Sequence, residues 1–189
     1  MPGHARDERT EGSSVRLLSG LQVAPRSAYP CSKAFKFRAT KAMIDGYWLP
    51  VQDGDRRVFA LLQRHYSFRR YRGVRPRACF VGVGEKMVLL TVTCDAAFIW
   101  RRSASHLEFG WQDGVACSMF RNEGPIRSSD LIREACALAW QKWPGQRLFT
   151  YVADAKIRSI NPGACFKKAG WRTCGRNADG RLTILERLP

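Results

Sequence analysis

Between Arg56 and Arg77 the chain carries eight arginines and no acidic residue, with Tyr66, Phe68 and Tyr71 interleaved. Guanidinium groups at this density suit a phosphate backbone, and aromatic rings between them can stack on a displaced base. Arg64, Arg69, Arg70, Arg72, Arg75 and Arg77 are the candidate DNA contacts. A second candidate site is Arg121-Asn122-Glu123-Gly124-Pro125-Ile126-Arg127-Ser128-Ser129. It follows an apolar strand and precedes a helix, where α/β sheets commonly bind ligands. Arg121 suits a phosphate or carboxamide, or an ion pair with Glu123. The helix start at Ser128 and Ser129 offers unpaired N–H groups and a positive dipole end for a cofactor phosphate. Either serine also suits the N-cap. Tyr151, on a later strand, has a hydroxyl fit for general acid chemistry.

The whole-chain numbers agree with a polyanion partner. The 189 residues hold 32 Lys and Arg against 16 Asp and Glu, a formal net charge of +16, and the sequence pI is about 10.2. Nucleic acid is the first candidate and an anionic cofactor such as a nucleotide or coenzyme A the second. No apolar run approaches the length of a membrane span, so no membrane partner is expected. The N-terminus lacks an apolar signal core. Seven cysteines without a Cys-x-x-Cys pair argue against a disulfide framework or a cysteine zinc site, and for a reducing cytoplasm.

The elements that must hold these residues follow from the patterning. Residues 1–42 lack clean periodicity and read as a basic, disordered arm, for which Met43 offers an alternative start. Residues 43–189 read as one domain. A helix is expected from Asp53, with Asp53 or Asp55 as cap and an end near Tyr66–Ser67. Strands are expected over 78–84, 87–95, 96–102 and 114–120, with a turn at Glu85–Lys86. A helix over 129–143 stops at Pro144–Gly145. A strand over 147–154, a short helix after Pro162 and a hairpin with an Asp179–Gly180 turn close the chain. This order is an α/β mixture with a βαβ crossover near its middle. Lys167, Lys168, Arg172, Arg176 and Arg181 extend the basic surface, and the six tryptophans read as core.

The C-terminal run, Asn161, Ala164 and Phe166-Lys167-Lys168-Ala169-Gly170-Trp171 followed by a hairpin, resembles the last third of the GCN5-related N-acetyltransferase fold. Its usual acyl-CoA loop is matched only by Arg121 and Gly124, and Pro125 lacks a backbone donor that such a loop needs. A narrower likeness adds His65-Tyr66-Ser67, Phe80-Val81-Gly82, Gly84 to Thr91, Phe120 to Gly124, Ser128–Ser129 and Thr150-Tyr151-Val152. Over roughly residues 53–188 this set resembles the Mom family of phage DNA-modification proteins. The resemblance implies a GCN5-related acetyltransferase-like mixed sheet flanked by helices. It also implies conversion of adenine in double-stranded DNA to N6-carbamoylmethyladenine, which shields phage or prophage DNA from host restriction.

The same resemblance puts His65, Tyr66, Arg121, Tyr151 and Asp154 in the site and implies a bound iron, with His65, Tyr66 and Asp154 as its ligands. The donor is acetyl-CoA or another two-carbon compound, and the oligomeric state is open, a dimer included. Adenine N6 is a weak nucleophile, so an open iron site would activate its partner as Lewis acid or redox centre. Neighbouring side chains on a regular helix diverge. His65 and Tyr66 therefore meet only if the helix stops at them. The rival readings are an acyl-CoA-dependent N-acyltransferase acting on a protein or small amine, and a non-catalytic nucleic-acid-binding protein.

Overall fold

A computed structural model describes residues 46–68, 79–103, 112–157 and 159–189. The expected arm over 1–42, and Arg69, Arg70, Arg72, Arg75 and Arg77, lie outside the described residues. Among the described residues no helix is long and apolar enough to cross a membrane.

The architecture is α/β, an open seven-stranded mixed sheet with helices on both faces. In chain order it runs β1 (Trp48–Val51), α1 (Arg56–Gln63), β2 (Glu85–Thr91), β3 (Ala96–Arg102), β4 (Val115–Asn122), α2 (Ser128–Lys142), β5 (Leu148–Val152), a 3-10 turn (Asp154–Lys156), α3 (Ala164–Lys168), β6 (Arg172–Arg176) and β7 (Thr183–Arg187). The spatial order is β1-β2-β3-β4-β5-β7-β6. Every neighbouring pair is antiparallel except β4 and β5, which α2 joins as the expected crossover.

Both faces of the sheet are covered, so β2 reads as a continuous apolar run without alternation. Its residues Met87 to Thr91 are all buried. On one face Val58 and Leu61 of α1 pack on Val88, Leu90, Ala97, Ile99 and Met119. On the other, α2 and α3 cover a larger cluster that includes Trp48, Leu89, Phe98, Trp100, Cys117, Phe166 and Trp171. Two indoles pin β1 and β3 to α2: Trp48 Nε1 donates to the Leu131 carbonyl at 2.8 Å and Trp100 Nε1 to that of Ala135 at 3.1 Å. Of the six tryptophans, Trp48, Trp100, Trp143 and Trp171 are buried, the packing role expected of them.

Several boundaries differ from expectation. Residues 79–84 form no strand. They are a loop that Asp53 holds, its carboxylate accepting the Phe80 and Val81 amides and pairing with Lys86 at 2.9 Å. Asp53 is thereby spent, and Asp55 caps α1 by accepting the Arg57 amide at 2.9 Å. Glu85 and Lys86 begin β2 instead of turning, because the turn lies one step earlier at Gly84. The N-cap of α2 is Arg127, in extended conformation and without a side-chain cap, so neither Ser128 nor Ser129 fills that role. Asn122 accounts for this shift: its Nδ2 bonds the Ile126 carbonyl at 2.7 Å and Ser128 Oγ at 3.1 Å, fixing the chain before the helix starts.

Gly84 has φ +117, and a Cβ there would lie 2.2 Å from the Arg102 carbonyl oxygen, a backbone atom that cannot swing away. Gly84→Ala is therefore expected to destabilise the fold by about 1–2 kcal/mol or more. Urea denaturation would register this as an earlier midpoint with an unchanged slope.

One irregularity controls the site. Between β3 and β4 the register shifts, Ile99 facing Met119 while Trp100 faces Cys117, so Ser118 is an extra residue. A bulge bends its strand and reverses the face on which later side chains emerge. Val115 and Cys117 thus face α2, whereas Met119 and Arg121 face α1. The β4–β5 ladder ends at the same level: its paired residues are Val115–Cys117 with Leu148–Thr150. Thr150 Oγ1 closes the last rung on the Cys117 carbonyl at 3.1 Å. Beyond it the two parallel strands part and leave a cleft between them.

Candidate active site

The cleft is filled from the end of α1. That helix stops at Gln63, with Arg64 as C-cap, and the chain then turns tightly, the Phe68 amide donating to the His65 carbonyl at 2.9 Å. Past the last helical turn His65 and Tyr66 no longer diverge. Their rings lie 4.3 Å apart, centroid to centroid, at an interplanar tilt of 35°.

His65 bonds the backbone carbonyl of Phe120 on β4. Its Nδ1 lies 2.7 Å from Ser67 Oγ. Burial, and secondarily the Arg121 guanidinium, push its pKa down to about 4, so the ring is neutral at physiological pH. Tyr66 reaches the far strand, where its phenolic oxygen accepts the Ala153 amide just past β5. Burial raises the phenol pKa, and Cys117, Cys165 and Asp154 are its electrostatic neighbours. The hydroxyl is therefore protonated at physiological pH, while 38% of the residue surface remains open. One tyrosine and one histidine from a single turn thus touch both walls of the cleft.

Asp154 borders the same hydroxyl. Its Oδ2 accepts Thr183 Oγ1 at 2.6 Å and Arg176 at 3.3 Å, while its Oδ1 is buried without a hydrogen-bond partner. A buried, unpartnered carboxylate oxygen costs free energy unless something binds it. It is an open valence on a residue that neighbours Tyr66.

Arg121 arrives on the α1 side because of the Ser118 bulge. Its Nε donates to Glu123 Oε1 at 2.5 Å and its Nη1 to the Arg64 carbonyl at 2.5 Å. The pairing with Glu123, one of the two readings of this arginine, is thus present. Arg64, expected on DNA, forms a two-pronged pair with the same carboxylate at 2.8 and 2.7 Å.

Tyr151 comes from β5 on the same side of the sheet as Met119 and Arg121. Strand alternation sends it to the opposite face of β5 from Thr150 and Val152, where its ring meets Phe149 edge-on at 5.9 Å. Its electrostatic neighbours there are Arg147 and Cys174. Ser128 and Ser129 sit in the first turn of α2, with the Ser128 hydroxyl committed to Asn122. Two amides of the loop before them are committed too. The Glu123 amide bonds the Asp95 carbonyl at 2.8 Å and the Gly124 amide bonds Asn122 Oδ1 at 2.9 Å. A Cβ on Gly124 would lie 2.2 Å from the Asp95 carboxylate. That glycine therefore makes room for an anion of the protein itself, and Thr93 and Thr91 hydroxyls hold the Asp95 pKa below its usual value. A second anion such as a pyrophosphate meets repulsion there.

No family model, curated protein or solved structure matches this chain.

The donors near the cleft bear on the expected iron. Among the described residues no group of three or more His, Cys, Asp or Glu gathers to hold a metal. His65 Nδ1 is shared with Ser67, and the ring's other bond goes to Phe120. Tyr66 accepts an amide, and Asp154 keeps one free oxygen. As arranged, His65, Tyr66 and Asp154 do not present three free lone pairs to one point. They do not fit an iron ion without the His65 ring turning.

Sequence reasoning missed two residues. Glu123 was legible only as a partner for Arg121, not as the junction of two arginines. Ser67 was legible only as a helix stop. Nor does the C-terminal basic surface form one stripe. Another register shift at Cys174 puts Arg172 on the Glu186 side and Arg176 on the Asp154 side, opposite faces of the sheet.

Proposed function

We propose that this chain is a DNA-modifying transferase of the Mom type on a GCN5-related acetyltransferase-like fold, acting on adenine N6. The strand order, the bulge in β4 and the parting of β4 from β5 support the fold. The observation that carries the function is the meeting of His65, Tyr66 and Arg121 at that parting. A neutral imidazole, a protonated phenol and the unpartnered Asp154 oxygen form a set that can hold an exocyclic amine and accept its proton. The net charge of +16 suits a duplex. A target base within a duplex must leave the stack for its N6 to reach these side chains.

An acyl-CoA N-acyltransferase would need the loop before α2 to cradle a pyrophosphate, and the Asp95 carboxylate opposes that. Iron enters only through the Mom resemblance. Metal analysis of the purified chain tests it, and stoichiometric iron would require the His65 ring to leave Ser67 or Phe120.

The deciding experiment is co-expression with a plasmid, followed by mass spectrometry of its nucleosides. A deoxyadenosine adduct heavier by about 57 Da, CH2CONH2 in place of H, is expected on the flipped base. An unmodified adenosine pool alongside folded protein overturns the reading, and leaves the non-catalytic binder as the better one.

A further inference from the structure

Glu123 holds the turn that carries His65 and Tyr66, and nothing in the adenine reading requires it to touch DNA. The geometry points to Glu123 as a positioning residue: its carboxylate ties the end of α1 to β4 and thereby sets both rings into the cleft. The inference rests on the reading of that cleft as the active site.

The residue lies one position past β4, and its own amide is fastened to the Asp95 carbonyl at 2.8 Å. Its side chain therefore stands on anchored backbone. From there Oε1 accepts Arg64 Nε at 2.8 Å and Oε2 accepts Arg64 Nη2 at 2.7 Å. Arg64 is the C-cap of α1, the last residue before His65. Oε1 also accepts Arg121 Nε at 2.5 Å, and Arg121 returns through Nη1 to the Arg64 carbonyl, again at 2.5 Å. The peptide unit leading into His65 is thus held by its carbonyl and by its arginine side chain, through Arg121 on β4 and Glu123 just past it.

The chemistry suits positioning. Two planar guanidiniums on one carboxylate give directional, charge-assisted bonds. They hold the Glu123 pKa down to about 2, so the clamp stays charged through the physiological range. Exposed ion pairs add little to global stability. A site so constructed at the surface, 59 residues away from its partner in sequence, is better explained by what it aligns than by what it stabilises.

Amide exchange and kinetics test this together. Glu123→Gln keeps the size but leaves one acceptor oxygen for two arginines, and Glu123→Asp keeps both oxygens on a shorter arm. The Ala153 amide, bonded to the Tyr66 hydroxyl, is the reporter. In Glu123→Gln its exchange is expected to accelerate about tenfold while the Leu89 amide of the buried sheet is unchanged. Adenine modification should fall in kcat with little change in KM for DNA, and Glu123→Asp should recover part of both losses. Unchanged Ala153 protection in folded Glu123→Gln overturns the inference. Should Ala153 respond while no variant, wild type included, yields an adenosine adduct, the clamp stands and only the adenine reading falls.

Discussion

Tyr66→Phe is expected to lower adenine modification about 100-fold or more, the usual scale for removing a general acid or base, while the protein remains folded. The ring itself should stay, because its stacking on His65 at 4.3 Å does not involve the hydroxyl. What leaves is the oxygen that accepts the Ala153 amide and faces Asp154. That amide then loses its partner, which costs about 1–3 kcal/mol in a buried setting. The variant should therefore unfold somewhat earlier, but its activity loss should be far larger than the fraction unfolded explains. Quantifying adducted deoxyadenosine per plasmid at matched levels of folded protein separates the two effects. Wild-type levels of adduct in Tyr66→Phe would remove the phenol from the mechanism and leave His65 and Arg121 as a structural pair.

How far the sequence anticipates this arrangement depends on the element. Both long-range features of the sheet, the crossover through α2 and the closing hairpin, follow from apolar runs with clear punctuation at Pro144–Gly145 and Asn177–Gly180. β1 does not, because Trp48–Val51 is four residues long and its place is set by an indole bond to α2. Residues 79–84 have the composition of a strand. They fail to pair because Asp53 takes the Phe80 and Val81 amides that a ladder would use. Such competition between a side chain and a strand is invisible until both are placed.

The site shows the same division. That His65 and Tyr66 can meet follows from local rules, since a helix end is the one place where adjacent side chains converge. That Arg121 joins them does not. Simple alternation along β4 puts Arg121 on the same face as Val115 and Cys117, toward α2. Only the extra residue at Ser118 turns it toward α1. A bulge leaves little trace in composition, and this one decides which face of the sheet the arginine serves. The Asp95 carboxylate against Gly124 is similar: the glycine was legible as half of a phosphate loop, and its neighbour changes its meaning.

Acidification should destabilise the wild-type chain more than it destabilises His65→Gln, and the difference should open between pH 6.5 and 4. Burial, then the Arg121 charge, lowers the folded-state pKa of His65 to about 4 from 6.5. In that window the unfolded chain binds a proton that the folded chain refuses. Stability then rises with pH wherever the unfolded state holds more protons. The contribution of neutral His65 is therefore whole above pH 6.5, shrinks as pH falls and is gone below about 4. A shift of that size corresponds to about 3 kcal/mol at most, and solvent at the partly open ring reduces it to about 1–2 kcal/mol. Glutamine fills similar volume and does not titrate, and the remaining histidines, His4 and His106, are common to both proteins. Glu123, held at about 2, weakens only below the carboxylate range, from about 4.5 downward, so its loss follows that of His65 instead of overlapping most of it. Urea titrations of both proteins at steps from pH 7.5 to 4 measure the difference. Parallel curves would mean that the imidazole stays wet, and a wet imidazole does not sit between Phe120, Tyr66 and Arg121.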